Sequence, residues 1–147
     1  IIPESLDIMY WALSKNDPEY LLNVSRAGMD IISYNDGPFK NCLDRTKYRS
    51  RYVDVNIDSE RKIASDFFEE LNRRLKTEFI LGENKTLVDL AILPFIRQYA
   101  FIDKSWFDNQ NWSNVNRWLN TFLNSETFAI MQRKYEFWKE GDKPIIF

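Results

Sequence analysis

The sequence predicts an all-α protein, a helical bundle built around one buried central helix. Three observations carry that prediction. Apolar residues recur at i, i+3, i+4 and i+7 in segment after segment, most of them opened by a capping residue. The four glycines, Gly28, Gly37, Gly82 and Gly141, fall between those segments. No stretch alternates apolar and polar residues for long enough to make a strand, and the β-branched pair Ile31-Ile32 stands alone.

Taken in order, Ser5 to Ser14 carries a stripe of Leu6, Met9, Tyr10 and Leu13. Asp17-Pro18 has the form of an N-cap followed by proline at the first helical position, which predicts a short helix through Leu22. Asp36-Gly37-Pro38 predicts a turn that launches a helix over roughly Phe39 to Tyr52. From Asp58/Ser59 to about Lys76 the stripe is Ile63, Phe67, Leu71 and Leu75, widened by Ala64 and Phe68. The opposite face holds Glu60, Arg61, Lys62, Glu69, Glu70, Arg73 and Arg74, as a solvated surface requires. After Phe79-Ile80-Leu81-Gly82 comes Thr86-Leu87-Val88-Asp89, a capping-box pattern with Asp in place of the commoner Glu. The run behind it, Leu90 to Ile96, is apolar on every side and predicts the central helix, kinked by Pro94. Ser113 to Leu123 follows with Val115, Trp118, Leu119 and Phe122. Ser125 caps a last helix carrying Phe128, Met131 and Tyr135, and the apolar tail Pro144-Ile145-Ile146-Phe147 is expected to pack back onto the body.

A chain of 147 residues suits one core, since a domain of that size buries roughly 68–70% of its unfolded surface without a disulfide or metal staple. With 44% hydrophobic and 29% charged residues, it is too apolar to be disordered. Charge, Asn or Pro interrupts every apolar stretch, so no membrane span is expected. Absence of His, with a single Cys at Cys42, removes Ser-His-Asp and Cys-His triads, His-containing zinc sites and an intramolecular disulfide. No metal is expected. One thiol without a secretion signal points to a reducing, cytoplasmic compartment. The net charge of −2 gives no global field for holding nucleic acid or an anionic membrane, so neither is an expected partner.

Candidate functional residues are few. Cys42 has only Lys40 and Arg45 as nearby cations in sequence, and a structurally inert thiol is the expectation. Lys40, Arg45, Lys47, Arg49 and Arg51 are interleaved with Tyr48 and Tyr52, a mixture able to bind phosphate or nucleic acid. Asp44 and Asp54 dilute it, which favours a solvated helix face or the lining of an interdomain cleft. Trp106, Phe107 and Trp112 form an aromatic loop that covers the core or offers an interaction surface. Glu69-Glu70 and Asp58/Glu60 lie on a polar face and do not form a convergent acid–base pair. The start, Ile1-Ile2-Pro3, lacks an initiator Met and leads at once into a helix whose stripe needs a partner. That helix either uses the edge of the bundle or, with residues 1–16, is the end of a preceding domain plus linker, which leaves 17–147 as the helical domain proper.

These residues, in this order, resemble the C-terminal helical half of a glutathione S-transferase-like protein of the small bacterial type. The resemblance rests on Pro3-Glu4-Ser5 as the end of a thioredoxin-like domain and on Asp17-Pro18-Glu19 as the linker. Thr86-Leu87-Val88-Asp89-Leu90 matches the capping box of the family's buried sixth helix, set after the Phe79–Gly82 turn. Arg97-Gln98, Trp118-Leu119 and the terminal Pro144–Phe147 fit the same order. Lys85 departs from the pattern, because an apolar residue there usually packs on the fourth helical position, here Leu90.

The resemblance implies that Glu4 and Ser5 contact the γ-glutamyl end of glutathione, Ser5 and helix N-terminal N–H groups meeting its carboxylate and Glu4 its ammonium. The plainer alternative makes Ser5 an N-cap and Glu4 a first-turn acid. Tyr34, Lys47 and Tyr48 are the candidates for a second-substrate pocket that takes a small electrophile. Thr86 and Asp89 are structural. The family's catalytic Tyr, Ser or Cys belongs to the N-terminal domain, so no residue of this chain is assigned that role. The resemblance also implies a homodimer. The competing expectation is a non-catalytic helical protein–protein interaction module, and a third is a small-ligand carrier.

Overall fold

The computed structural model describes residues 2–134, 136, 137 and 139–143. Its described elements are helices: α1 (Ser5–Lys15), α2 (Arg26–Tyr34), α3 (Lys40–Lys47), α4 (Ile57–Arg74), α5 (Leu87–Ala100), α6 (Lys104–Asp108), α7 (Ser113–Leu123) and α8 (Glu126–Met131). No strand forms among the described residues; a single bridge pairs Phe79 with Gly82.

The protein is therefore all-α. α5 is the central helix, packing against α2, α3 and α7, while α4 packs on α3 and α7. Leu87, Val88, Ile92 and Ile96 of α5 are fully buried, the last three in one core with Phe39, Leu43, Phe68, Leu71, Val115 and Leu119. Burial of α5 is not complete, however. Leu90, Ala91 and Phe95 are half-buried and Pro94 is exposed, which places the residue that cannot donate a backbone hydrogen bond on the open side.

Three predicted boundaries are corrected. No helix opens at Asp17. The Asp17 carboxylate accepts from the backbone N–H of Leu21 (2.8 Å) and Leu22 (2.9 Å), and Tyr20 adopts a left-handed φ of 56°, closing a turn instead. The turn buries Leu21, whose carbonyl accepts from the N–H of Leu87 at 2.8 Å. A tertiary partner at the start of α5 thus outweighs the local helix signal. Between that turn and α3, Ser25 caps a helix that the sequence did not announce: its hydroxyl accepts from the Gly28 N–H, and Ile31 and Ile32 lie buried on α2. Asp36-Gly37-Pro38 is not a break, because Asn35–Phe39 forms a π-helical turn that carries α2 onward into α3.

α3 stops at Lys47, short of the expected Tyr52, and Arg49–Arg51 forms a 3-10 turn. α4 matches its predicted extent to within two residues. Its last turn holds α7 in place. Asn72 Oδ1 accepts from the N–H of Asn114 (2.9 Å) and Val115 (3.3 Å), capping a helix whose own N-cap residue, Trp112, offers no side-chain acceptor. Arg117 returns the favour by donating to the carbonyls of Leu75 and Thr77 (2.8 and 2.6 Å). Ser125 caps α8 through the Phe128 N–H. Tyr135 and the tail Pro144–Phe147 lie outside the described residues.

Candidate functional site

The capping box at the head of α5 is formed. Asp89 Oδ2 accepts from the Thr86 N–H (3.0 Å) and hydroxyl (3.1 Å), while Oδ1 accepts from the Ile80 N–H (3.0 Å). Burial lifts the Asp89 carboxyl above its usual range, opposed by those bonds and by the Trp118 indole. Lys85, the departure from the staple pattern, turns its ammonium to Glu19 at 2.7 Å and so ties the Asp17 turn to this corner. The box is structural.

Glu4 is the N-cap of α1 but makes no side-chain capping bond, and Ser5 is the first helical residue. Ser5 is therefore not the N-cap, and both side chains are exposed. α1 is held to the bundle by Leu6 and by the Tyr10 hydroxyl on the Met29 sulfur (3.1 Å), and it leaves Ile8 and Trp11 exposed.

The second candidate set divides. Tyr34 stacks on Phe67 (centroids 5.0 Å apart) and lines a groove between α2 and α4 with Asp30, Asp66 and Glu70. Lys47 lines a different cleft, of about 370 Å³, where the end of α3, the start of α4, the end of α5 and the start of α6 meet. Tyr48 does not line it; its ring is flanked by the Lys47 ammonium (5.0 Å) and the Arg51 guanidinium (4.5 Å).

Arg49, Arg61, Tyr99, Asp103 and Trp106 complete the working part of this cleft. Arg61 is fixed on two sides, donating to Asp103 Oδ2 at 2.8 Å and lying over the Trp106 ring at 4.8 Å. Asp103 Oδ1 also caps α6 through the Trp106 N–H (3.0 Å), so both oxygens of the one lining acid are occupied. Lys47 donates to the neutral Gln98 Oε1 at 2.8 Å, leaving its charge uncompensated. Tyr99 is 3% exposed, and its hydroxyl has no hydrogen-bond partner among the described residues. The Thr46 hydroxyl donates to the Cys42 carbonyl (2.8 Å) and keeps lone pairs that can accept from the phenol, which it lowers slightly. Burial, with a smaller contribution from Cys42, raises the Tyr99 phenol above its ordinary value and keeps it a donor.

Cys42 is buried and donates its thiol proton to the Glu60 carbonyl at 3.0 Å. Burial first, and the Glu60 charge second, push it up to about 11. Such a group is protonated at neutral pH and is not a nucleophile. Glu60 itself is buried against Arg45 at 2.6 Å. The basic stretch is thus split by function: Lys40 and Arg45 pair with Asp44 and Glu60, while Lys47 and Arg49 face the cleft.

A buried helix with a Thr-x-x-Asp box, braced by the long α4 and by α7, whose start Asn72 caps, defines the all-α domain. The family model described as glutathione S-transferase, C-terminal domain, matches residues 47–121, just over half of the chain. This chain belongs to the glutathione S-transferase C-terminal domain family. The matched stretch takes in the capping box and every residue lining the cleft except Thr46, and leaves Glu4, Ser5 and Tyr34 outside. No curated protein and no solved structure matches the chain. No described helix is long and apolar enough to cross a membrane.

Proposed function

We propose that this domain supplies the electrophile pocket of a glutathione transferase, and that the pocket is the cleft beside Lys47. The carrying observation is the cleft itself: about 370 Å³ within the family-matched region, walled by Tyr99 and Trp106 and rimmed by cations. A thioredoxin-like partner domain would bind glutathione and lower the pKa of its thiol, so that the thiolate attacks an electrophile held here. Glu4 and Ser5 would complete the γ-glutamyl end of that site. In support, both are exposed at the head of α1, and neither makes a side-chain hydrogen bond or ion pair among the described residues. The exposed Ile8 and Trp11 suit a helix that packs on such a partner, as the last helix of the thioredoxin-like domain would. The intact protein would be a cytoplasmic homodimer.

On this reading the isolated 147 residues do not turn over substrate, because the thiol-activating group is on the partner domain. The test is to assay glutathione conjugation to a chromogenic aryl halide by the isolated chain and by the protein as its native cells make it. Activity confined to a native product carrying a thioredoxin-like domain is expected. A transferase rate from the isolated chain would refute the inactivity. A native product without such a domain would leave the interaction-module reading in its place.

A further inference from the structure

The cleft has a chemical preference that the family assignment does not supply. Three cations line it, Lys47, Arg49 and Arg61, against the single acid Asp103, whose two oxygens are already bonded. Among the described residues neither Arg49 nor Lys47 has a carboxylate within ion-pair distance; Lys47 meets an amide oxygen and the Tyr48 ring. This excess of positive charge sits in a chain whose net charge is −2, so it is local and not a general property of the surface. Tyr99 also lines the cleft, and its buried hydroxyl, close to Thr46, meets no acceptor in full hydrogen-bond geometry among the described residues. A buried donor left unpaired costs stability, and a protein carries that cost where something else is to accept the bond.

We propose that this cleft binds the oxyanion of a small organic acid, with Lys47 and Arg49 supplying charge and the Tyr99 hydroxyl supplying a fixed neutral donor. The substrate class that follows is an electrophile bearing a carboxylate or a phosphate, with an apolar body against Ile57, Ile102 and Trp106. The inference rests on the cleft being the electrophile pocket only for the word substrate; the binding itself does not. Arg61 is a positioning residue, because Asp103 and Trp106 hold its guanidinium in place.

The test is direct titration of the 147-residue chain with benzoate, inorganic phosphate and, as the uncharged counterpart, benzamide, at low salt. Trp106 lines the cleft, so tryptophan fluorescence reports occupancy. Benzoate or phosphate is expected to bind at least about tenfold more tightly than benzamide, the scale of one charge-assisted hydrogen bond. A preference for benzoate identifies a carboxylate on an aromatic body, and a preference for phosphate identifies a phosphate monoester. Arg49→Ala should weaken the anion about tenfold. Tyr99→Phe should weaken it several-fold while leaving the ligand-free melting temperature unchanged or higher, because it removes an unpaired buried hydroxyl. That combination separates a binding tyrosine from a purely structural one. Equal affinity for benzamide and benzoate, or unaltered binding in both variants, overturns the proposal. Anion binding without transferase activity in the native protein would sink the enzyme reading alone. Activity restricted to uncharged electrophiles, with no anion binding, would sink this one alone.

Discussion

Asp89, in the first turn of α5, accepts a hydrogen bond from the backbone of Ile80, nine residues earlier and across the Phe79–Gly82 turn. The same carboxylate accepts from the Thr86 N–H, so one buried side chain fixes both the start of the central helix and the turn that precedes it. The turn is closed by reciprocal Phe79–Gly82 backbone bonds and needs Gly82 for its φ of 134°. Asp89→Ala would leave two N–H donors of this corner unpaired. At about 1–3 kcal/mol for each, the expected loss is about 3 kcal/mol in a urea-unfolding measurement.

The pH dependence of this corner has a defined sign. Burial outweighs the hydrogen bonds and raises the Asp89 carboxyl, so the folded protein keeps that proton where the unfolded chain has lost it. Its contribution is therefore full below the ordinary aspartate value and declines as pH rises through the raised one. The stability difference between the native chain and Asp89→Asn should shrink as pH rises above the ordinary aspartate value of 3.8. Growth of that difference over the same range would mean that the bonds outweigh burial.

Gly28 is required by close packing and not by backbone conformation. A Cβ built there meets Val24 Cγ1 at 2.7 Å, Leu81 Cδ1 at 2.9 Å and Val88 Cγ2 at 2.9 Å, so it lies where α2, the Phe79–Gly82 turn and α5 touch. Alanine would gain helix propensity of about 1 kcal/mol, but overpacking against two stiff valines costs about 1–3 kcal/mol. Gly28→Ala is expected to destabilise on balance, and Gly28→Val more strongly. Gly37 is the internal comparison. A Cβ there meets nothing within 4 Å, so Gly37→Ala should be neutral or stabilising by about 0.5–1 kcal/mol. Thermal melts of the three variants decide the matter, and a stabilised Gly28→Ala would show that the contact yields.

These two corners also show what the sequence made legible. α1 and α7 were readable from their apolar stripes alone, α4 from a stripe with a charged opposite face, and α5 from an apolar run behind a capping box, all of which are local. α2 was not, because Gly28 reads as punctuation and Ile31-Ile32 as a strand fragment unless the α5 surface they pack on is known. Asp17-Pro18 misled for the converse reason: its cap chemistry is real, but Leu21 and Leu87 bend it into a turn. The Thr86–Asp89 box was legible as a local spacing. The cleft was not, since Lys47, Arg61, Tyr99 and Trp106 come from four helices and meet only in the fold. Lys47 was singled out beside Tyr48, whereas nothing near Tyr99 in the chain marked its hydroxyl. Tyr34, singled out with Lys47, lies in another groove because α2 turns it towards Phe67.

Cys42 gives the sharpest test of the core. Its thiol is buried, hydrogen-bonded to the Glu60 carbonyl, and pushed up to about 11 from an ordinary value of 9.0. A thiol reagent should therefore react slowly with the folded chain at neutral pH and stoichiometrically once it is unfolded in urea. The linkage runs the other way from acid unfolding. Below the ordinary thiol value the group is neutral in both states and its burial is favourable. As pH rises from 9.0 towards 11, the unfolded chain ionises first, and that stability is withdrawn. At 1.36 kcal/mol per pH unit, the loss across the window is about 2–3 kcal/mol. Tyr99, also raised by burial, adds to the loss in the same direction. Cys42→Ala should give up some core packing at neutral pH yet lose less stability than the native chain between pH 9.0 and 11. Parallel alkaline stability profiles for the two chains would show that the thiol is not the titrating group.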